Sequence, residues 1–413
     1  MHIPVTAVRL QTATATVAAL LLASSMYAHT VTLRFALLAV GIVLAALLCH
    51  RTDDIATLPP ISLPFVLWAA WAAASTAWSR DSDFTIREWR HEVFYTAAAC
   101  WICYVAAQGR DAARIFGGIA GAGAIGACAI ALYEFSRGLQ AYAAGLHGGP
   151  GDHSSALLVI MPCVAMGGWY VLRARPRPAL IAALAALAVL LIASAYTTLN
   201  RTIWLGFAAQ FGLLGFMMLA RARSRRPWLV PVALAAAVIA CIAVLVVVQT
   251  QRELRGAGSA LAGDSRLLLW PQVLEHMVES PLTGYGFGRG MLRDALQAEL
   301  RARDANLWHA HNMFFDAVLQ LGLPGLALLG WLIAATLQEA WRGLRHPDDR
   351  VAACGMALAA VVVGMVVRNM TDTLLVRQNA LLYWGAVGTL LGLSQRLRSR
   401  AGNEVTSPTG PRG

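Results

Sequence analysis

The stretch LQTATATVAALLLASSMYAHTVTLRFALLAVGIVLAALLC, residues 10–49, holds two apolar runs, 10–28 and 31–49, with only His29 and Thr30 between them. Each run is close to the ~20 residues that a helix needs to cross a bilayer core. The first run alone resembles a secretory signal, because its apolar core ends in Ser24, Ser25 and Ala28. A second span within three residues makes two successive membrane helices the better reading. Ten more runs follow, near 62–79, 92–107, 111–135, 153–172, 179–195, 202–220, 228–249, 312–340, 351–367 and 378–395. Composition agrees. Of 413 residues, 58% are apolar and 13% charged, against about 25% charge in soluble domains. A disordered chain, a fibre, a disulfide scaffold and a soluble multidomain protein are all excluded. The expected fold is an all-α integral membrane protein of about twelve transmembrane helices.

The net charge is +11, and every one of the 33 basic residues is arginine. These arginines are scattered between apolar runs, so the basic balance does not point to nucleic acid. Under the positive-inside rule, one set of short loops carries sixteen Arg, including the group Arg221, Arg223, Arg225 and Arg226. The opposite set carries seven: Arg80, Arg87, Arg90, Arg137, Arg201, Arg368 and Arg377. Both termini are therefore expected to be cytoplasmic. The chain divides into nine spans over 1–249, one large outer loop over 250–311, three spans over 312–395 and a disordered cytoplasmic tail over 396–413. Within the loop, Leu267, Trp270, Leu274, Met277 and Val278 recur at helical spacing, with Pro271 as a start or kink. Leu292, Leu296 and Leu300 make a second amphipathic stripe, and 281–288 reads as a flexible glycine-rich connector. Gly117-x-x-x-Gly121 and Ala122-x-x-x-Gly126 predict close helix packing in the fifth span. The seven cysteines lie in or beside apolar runs, and Cys100-x-x-Cys103 reads as small apolar packing rather than a redox pair.

Ionisable side chains at mid-span mark ion pathways, and these spans hold almost none. Glu134 and Glu339 sit near span ends, and Gln210 is the notable polar residue at depth. Candidate chemistry gathers at the outer span ends and in the loop: Arg201 opening the eighth span, Asp264-Ser265-Arg266 opening the first loop helix, and Trp308-His309-Ala310-His311-Asn312 running into the tenth span, with Asp316 a turn below. Singly, each has an ordinary structural account as an interface anchor, a solvated charge or a helix-start residue. Together, an Arg pair suits the oxygens of a diphosphate, and a nearby His suits the removal of a proton from an acceptor hydroxyl. The spacing His309-x-His311 would splay two ligands on a helix, and no Asp-x-Asp pair stands near, so no metal is expected.

With these residues, the chain resembles the O-antigen ligases within the ligase/polymerase group of membrane glycosyltransferases. The resemblance rests on Arg201; on Asp264-Ser265-Arg266 with Trp270; on Pro281-x-x-Gly284-x-Gly286; and on His311-Asn312-x-x-x-Asp316 followed by Gly322-x-Pro324-Gly325. It implies a glycosyltransferase-C-like fold in the Gram-negative inner membrane, with its site on the periplasmic face. It also implies inverting transfer of O-polysaccharide from undecaprenyl diphosphate to a lipid A core sugar, without cofactor or metal. His311 would be the base, and Arg201 and Arg266 would hold the diphosphate. Asp372 would bind acceptor or orient the His, with Asp316, Asn312, His309 and Arg289 as supporting candidates. The runner-up is the polymerase branch, which often carries Arg-x10-Gly in two outer loops. Here that spacing occurs five times, from Arg110, Arg137, Arg201, Arg252 and Arg377, against about three expected from the content of Arg and Gly. A protein O-oligosaccharyltransferase, with its larger outer domain, and a non-enzymatic flippase rank lower.

Overall fold

The computed structural model describes residues 5–138, 145–174, 176–222, 265–290 and 309–406. They are mostly helical, with no strand among the described residues. In chain order the helices are α1 (Val5–Ser24), α2 (Val31–Arg51), α3 (Ser62–Ala74), α4 (Ser82–Trp89), α5 (Tyr95–Ala107), α6 (Ala112–Ser136), α7 (Gly149–Ala174), α8 (Pro178–Thr197), α9 (Arg201–Ala222), α10 (Ser265–Glu279), α11 (Met313–Leu344), α12 (Asp349–Asn369) and α13 (Arg377–Thr406). A π-turn, Arg90–Phe94, joins α4 to α5.

Among the described residues, eight helices are long and apolar enough to cross a membrane: α1, α2, α6, α7, α8, α9, α11 and α12. The chain is thus a multi-pass membrane protein. Three further expected spans are helical but fall outside that set. The segment Ser62–Ala77 is shorter. α5 has 13 residues and continues α4 through the π-turn. α13 is buried against protein rather than lipid over Ala380–Leu391, so its side chains need not be strongly apolar. The expected span 228–249, the second loop stripe at Leu292, Leu296 and Leu300, and the loop residues 250–264 and 291–308 lie outside the described residues.

Close packing occurs at Gly126, one of the expected positions, but not at the Gly117 and Gly121 pair. A Cβ on Gly117 or Gly121 would meet nothing within 4 Å, and Ala122 is exposed. The helix instead approaches α1 at Gly123 and Gly126, where a Cβ would strike Ala23 and the Tyr27 hydroxyl. The tightest seam is α13 on α5: a Cβ on Gly388 or Gly392 would lie about 2 Å from the carbonyl oxygens of Cys100 and Tyr104. Cys100 and Cys103 are buried free thiols in this seam. α13 also runs on to Thr406, past 396 where a disordered tail was expected. Interactions at the bundle's end hold it there: Arg396 donates to the Gly109 carbonyl, and Arg398 lies 3.5 Å from Glu339.

α11 is broken at Gly322, which has φ 68° and ψ −174°. Inside a membrane, carbonyls freed by such a break need new donors. The 281–288 connector supplies them. Leu319 O accepts Tyr285 N–H at 2.8 Å and Gln320 O accepts Gly286 N–H at 3.0 Å. In return Leu323 N–H donates to Pro281 O at 2.7 Å. Trp71 Nε1 caps Leu321 O at 2.9 Å. A Cβ on Gly284 would fall 2.5 Å from the Gln320 backbone, and one on Gly322 2.3 Å from the Leu282 backbone. Both have positive φ, so glycine is required twice over. The connector is therefore a pinned element rather than the flexible one its composition suggests.

Candidate active site

The site is assembled around the start of α11. Asn312 caps it: Oδ1 accepts the N–H groups of Phe314 and Phe315, a standard way to satisfy orphan helix donors. Its Nδ2 donates to Met370 O at 3.1 Å, fastening α11 to the 370–376 loop. Asp316, buried one turn in, repeats the connection. Oδ1 accepts Ala310 N–H at 3.0 Å, and Oδ2 accepts the Thr373 hydroxyl. α10 seals the outside: Leu269, Val273, Ala310 and Leu319 form a small core, and Trp270 Nε1 donates to Ala310 O at 3.1 Å.

His311 has φ 50°, a left-handed conformation that non-glycine residues adopt at a cost. The turn it makes brings the His309 and His311 rings face to face, with centroids 3.9 Å apart and planes 34° apart. The expectation that i and i+2 histidines would splay assumed helix continuing through 309. Here the helix starts only at Met313. His309 Nδ1 accepts His311 N–H at 3.1 Å, which fixes its acceptor nitrogen, and lies 3.5 Å from Asp316 Oδ2. Burial pushes the His309 imidazole below its usual value, against the opposing pull of Asp316.

His311 Nδ1 lies 3.3 Å from Asp372 Oδ1. Asp372 Oδ1 also accepts Thr373 N–H at 2.8 Å, and Oδ2 stands 3.8 Å from Arg368. Arg368, at the end of α12, is 2% exposed. Burial works to raise the Asp372 carboxyl, but the His311 hydrogen bond and the Arg368 charge outweigh it and hold it well below the usual carboxylate range. A carboxylate on Nδ1–H leaves Nε2 of His311 with its lone pair, the arrangement of an oriented general base.

His309, His311 and Asp372 each offer one ligand atom, all within 4.8 Å of one another. The set has the donor types of a transition-metal site. Its carboxylate is already engaged by Arg368 and Thr373, so a cation would compete with an existing arginine.

The other candidates fall as follows. Arg289, in the pinned connector, donates to Thr373 O and so touches the same loop. Arg201 opens α9, which runs antiparallel to α12: Gly206 meets Gly364 and Arg221 pairs with Asp349. This register sets Arg201 level with Asn369, next to Arg368. Arg266 lies in the first turn of α10; its side chain is outside the described residues. Reading from sequence missed Arg368 and Thr373. The only available signal was their spacing around Asp372, since Arg368 precedes it by one helical turn.

Residues 186–330 match the family model described as O-antigen ligase. That stretch holds Arg201, Arg266, Arg289, His309, His311, Asn312 and Asp316, and stops short of Arg368 and Asp372. No curated protein matches the chain.

Proposed function

We propose, from the match of residues 186–330 to the family model described as O-antigen ligase, that the chain is an O-antigen ligase of the Gram-negative inner membrane. It transfers O-polysaccharide from undecaprenyl diphosphate to a sugar of the lipid A core at the periplasmic face. The observation that carries this reading is the His311–Asp372–Arg368 line at one end of the bundle. His311 Nε2 takes the proton of an acceptor hydroxyl. That oxygen attacks the anomeric carbon from the face opposite the diphosphate. The anomeric C–O bond breaks, its electron pair leaves on the diphosphate, and the configuration inverts. Arg201 and Arg266 offset the charge growing on the leaving group, with charge-assisted hydrogen bonds worth about 1.5–3 kcal/mol each. Asp372 holds the Nδ1–H and stabilises the imidazolium as it forms. Asp316, Asn312 and His309 fix the loop that carries the base.

The test is transfer by the purified protein in lipid, with lipid-linked O-polysaccharide as donor and rough lipopolysaccharide, which is lipid A plus core, as acceptor. Attachment of the polysaccharide to core supports the ligase. Lengthening of the lipid-linked donor instead, with no product on core, supports a polymerase. No new glycosidic bond rejects both.

A further inference from the structure

Beyond the base and its loop, a second polar network sits at the same end of the bundle, and none of its members is used in the scheme above. Asp152, in the first turn of α7, accepts from two carboxamides at the start of α13: Gln378 Nε2 on Oδ2, and Asn379 Nδ2 on Oδ1 at 2.8 Å. Gln378 Oε1 in turn accepts from Arg34 of α2 at 3.1 Å. Arg34 is 5% exposed, and its Nε has no hydrogen-bond partner. Arg289 joins this network to the base: it donates to Thr373 O, and its charge reaches Asp152, Glu92 and His309.

Two features separate this from a simple clamp between helices. A clamp would pair the buried charges directly, because an unpaired buried charge is costly. Here neutral carboxamides stand between the carboxylate and Arg34, and a buried guanidinium N–H is left over. Part of the network is also exposed. Asp152, Gln378, Glu92 and Arg289 are half-buried rather than enclosed. The Gly148 backbone, at φ 88°, packs close against the network: a Cβ there would come within 3.0 Å of Asp152 and 3.4 Å of Gln378. A carboxylate, carboxamides and guanidiniums, part of them exposed, are the donor and acceptor set that a hydroxyl-rich ring requires.

We propose that Asp152, Gln378 and Arg34, with Arg289 as the wall shared with the base, form the subsite that holds the acceptor saccharide. Hydroxyls of one sugar ring donate to Asp152, and the Arg34 and Arg289 guanidiniums donate to its oxygens. The inference rests on the transfer reading, and its test separates the two.

In the reconstituted assay, acceptor KM is measured with rough lipopolysaccharide and donor KM with lipid-linked polysaccharide. Asp152→Asn is expected to raise acceptor KM about 10-fold, the loss of one charge-assisted hydrogen bond, while donor KM stays within about two-fold. Arg34→Gln is expected to act in the same direction. Should Asp152→Asn not fold, Gln378→Ala, which leaves the carboxylate in place, carries the test with the same expected rise. Acceptor KM unchanged in these variants overturns the subsite. Acceptor and donor KM rising together with a lower Tm also overturns it, showing a purely structural tie between α7 and α13. Wild-type protein that forms no glycosidic bond overturns the transfer reading beneath it.

Discussion

The two ends of the bundle use arginine in opposite ways. At the end carrying Arg221, the guanidinium is saturated. It donates to the carbonyls of Leu344, His346 and Pro347 and to Asp349, closing the turn between α11 and α12. Arg173 adds a second contact to Asp349, and Arg342 and Arg398 share Glu339. At the His311 end, arginines face the site's carboxylates at arm's length. Arg368 stands 3.8 Å from Asp372, and Arg34 reaches Asp152 only through Gln378. Backbone strain divides the same way. The four non-glycine residues with positive φ, among those described, are His29, Leu199, His311 and Arg377, and all four lie at the His311 end. Strain that persists must be over-determined by its surroundings, and it concentrates at functional sites. One end closes its turn on a saturated Arg221, and the other holds its arginines short of the site carboxylates and gathers the strained backbone.

The sharpest way to break that comparison is His311→Ala. Loss of the base is expected to cut transfer by about 10²–10⁴-fold with donor binding unchanged, read by initial rates and a donor-binding assay. Full activity would reduce the strained end to an architectural feature. Asp372→Asn comes next, at about 10²-fold. An amide in that place can present its NH₂ to Nδ1 and favour the wrong imidazole tautomer, so kcat should fall more than either KM. A change confined to acceptor KM would instead make Asp372 an acceptor contact.

These two residues also show what was legible in the sequence. His311, Asn312 and Asp316 are within one and a half turns of each other, so their association could be read from spacing. Asp372 is 61 positions from His311, and nothing in the chain between them announces the contact. The Arg34–Gln378 and Asp152–Gln378 bonds span 344 and 226 positions, which no local pattern can report. Hydropathy located the lipid-facing helices well, because those must be apolar. It also placed a span at 378–395, where α13 lies, although α13 is less apolar than the eight long apolar helices. The Gly117-x-x-x-Gly121 spacing misled because small residues permit close approach without compelling it, while Gly388 and Gly392, which do pack, lie in a helix the spacing did not single out.

The arginine-rich end predicts a different kind of loss. Arg221→Ala removes several hydrogen bonds around a half-exposed ion pair, so stability should drop by about 1–3 kcal/mol, seen as a lower Tm. Transfer per folded molecule should stay within about two-fold. A specific loss of activity without a loss of Tm would erase the distinction between the ends. A smaller effect follows from His309. Burial holds its folded pKa below the unfolded value of 6.5, so the unfolded chain binds more protons as pH falls through 6.5. Stability is therefore present above that pH and declines below it. His309→Gln should flatten the decline in a Tm series across pH 5–7; an unchanged slope would assign it to other groups.

The smallest expected effect is the most pointed for the site's chemistry. His309, His311 and Asp372 could be bridged by one divalent cation, which would place positive charge where Arg368 now acts and would occupy the imidazole that the base mechanism needs free. If Arg368 supplies that charge, dialysis against EDTA leaves transfer unchanged, and added zinc inhibits by taking the His311 nitrogen. If activity is instead lost on chelation and restored by a divalent ion, the imidazoles are ligands rather than a base. The two ends would then differ in the cation that neutralises their carboxylates, arginine at one and a metal at the other.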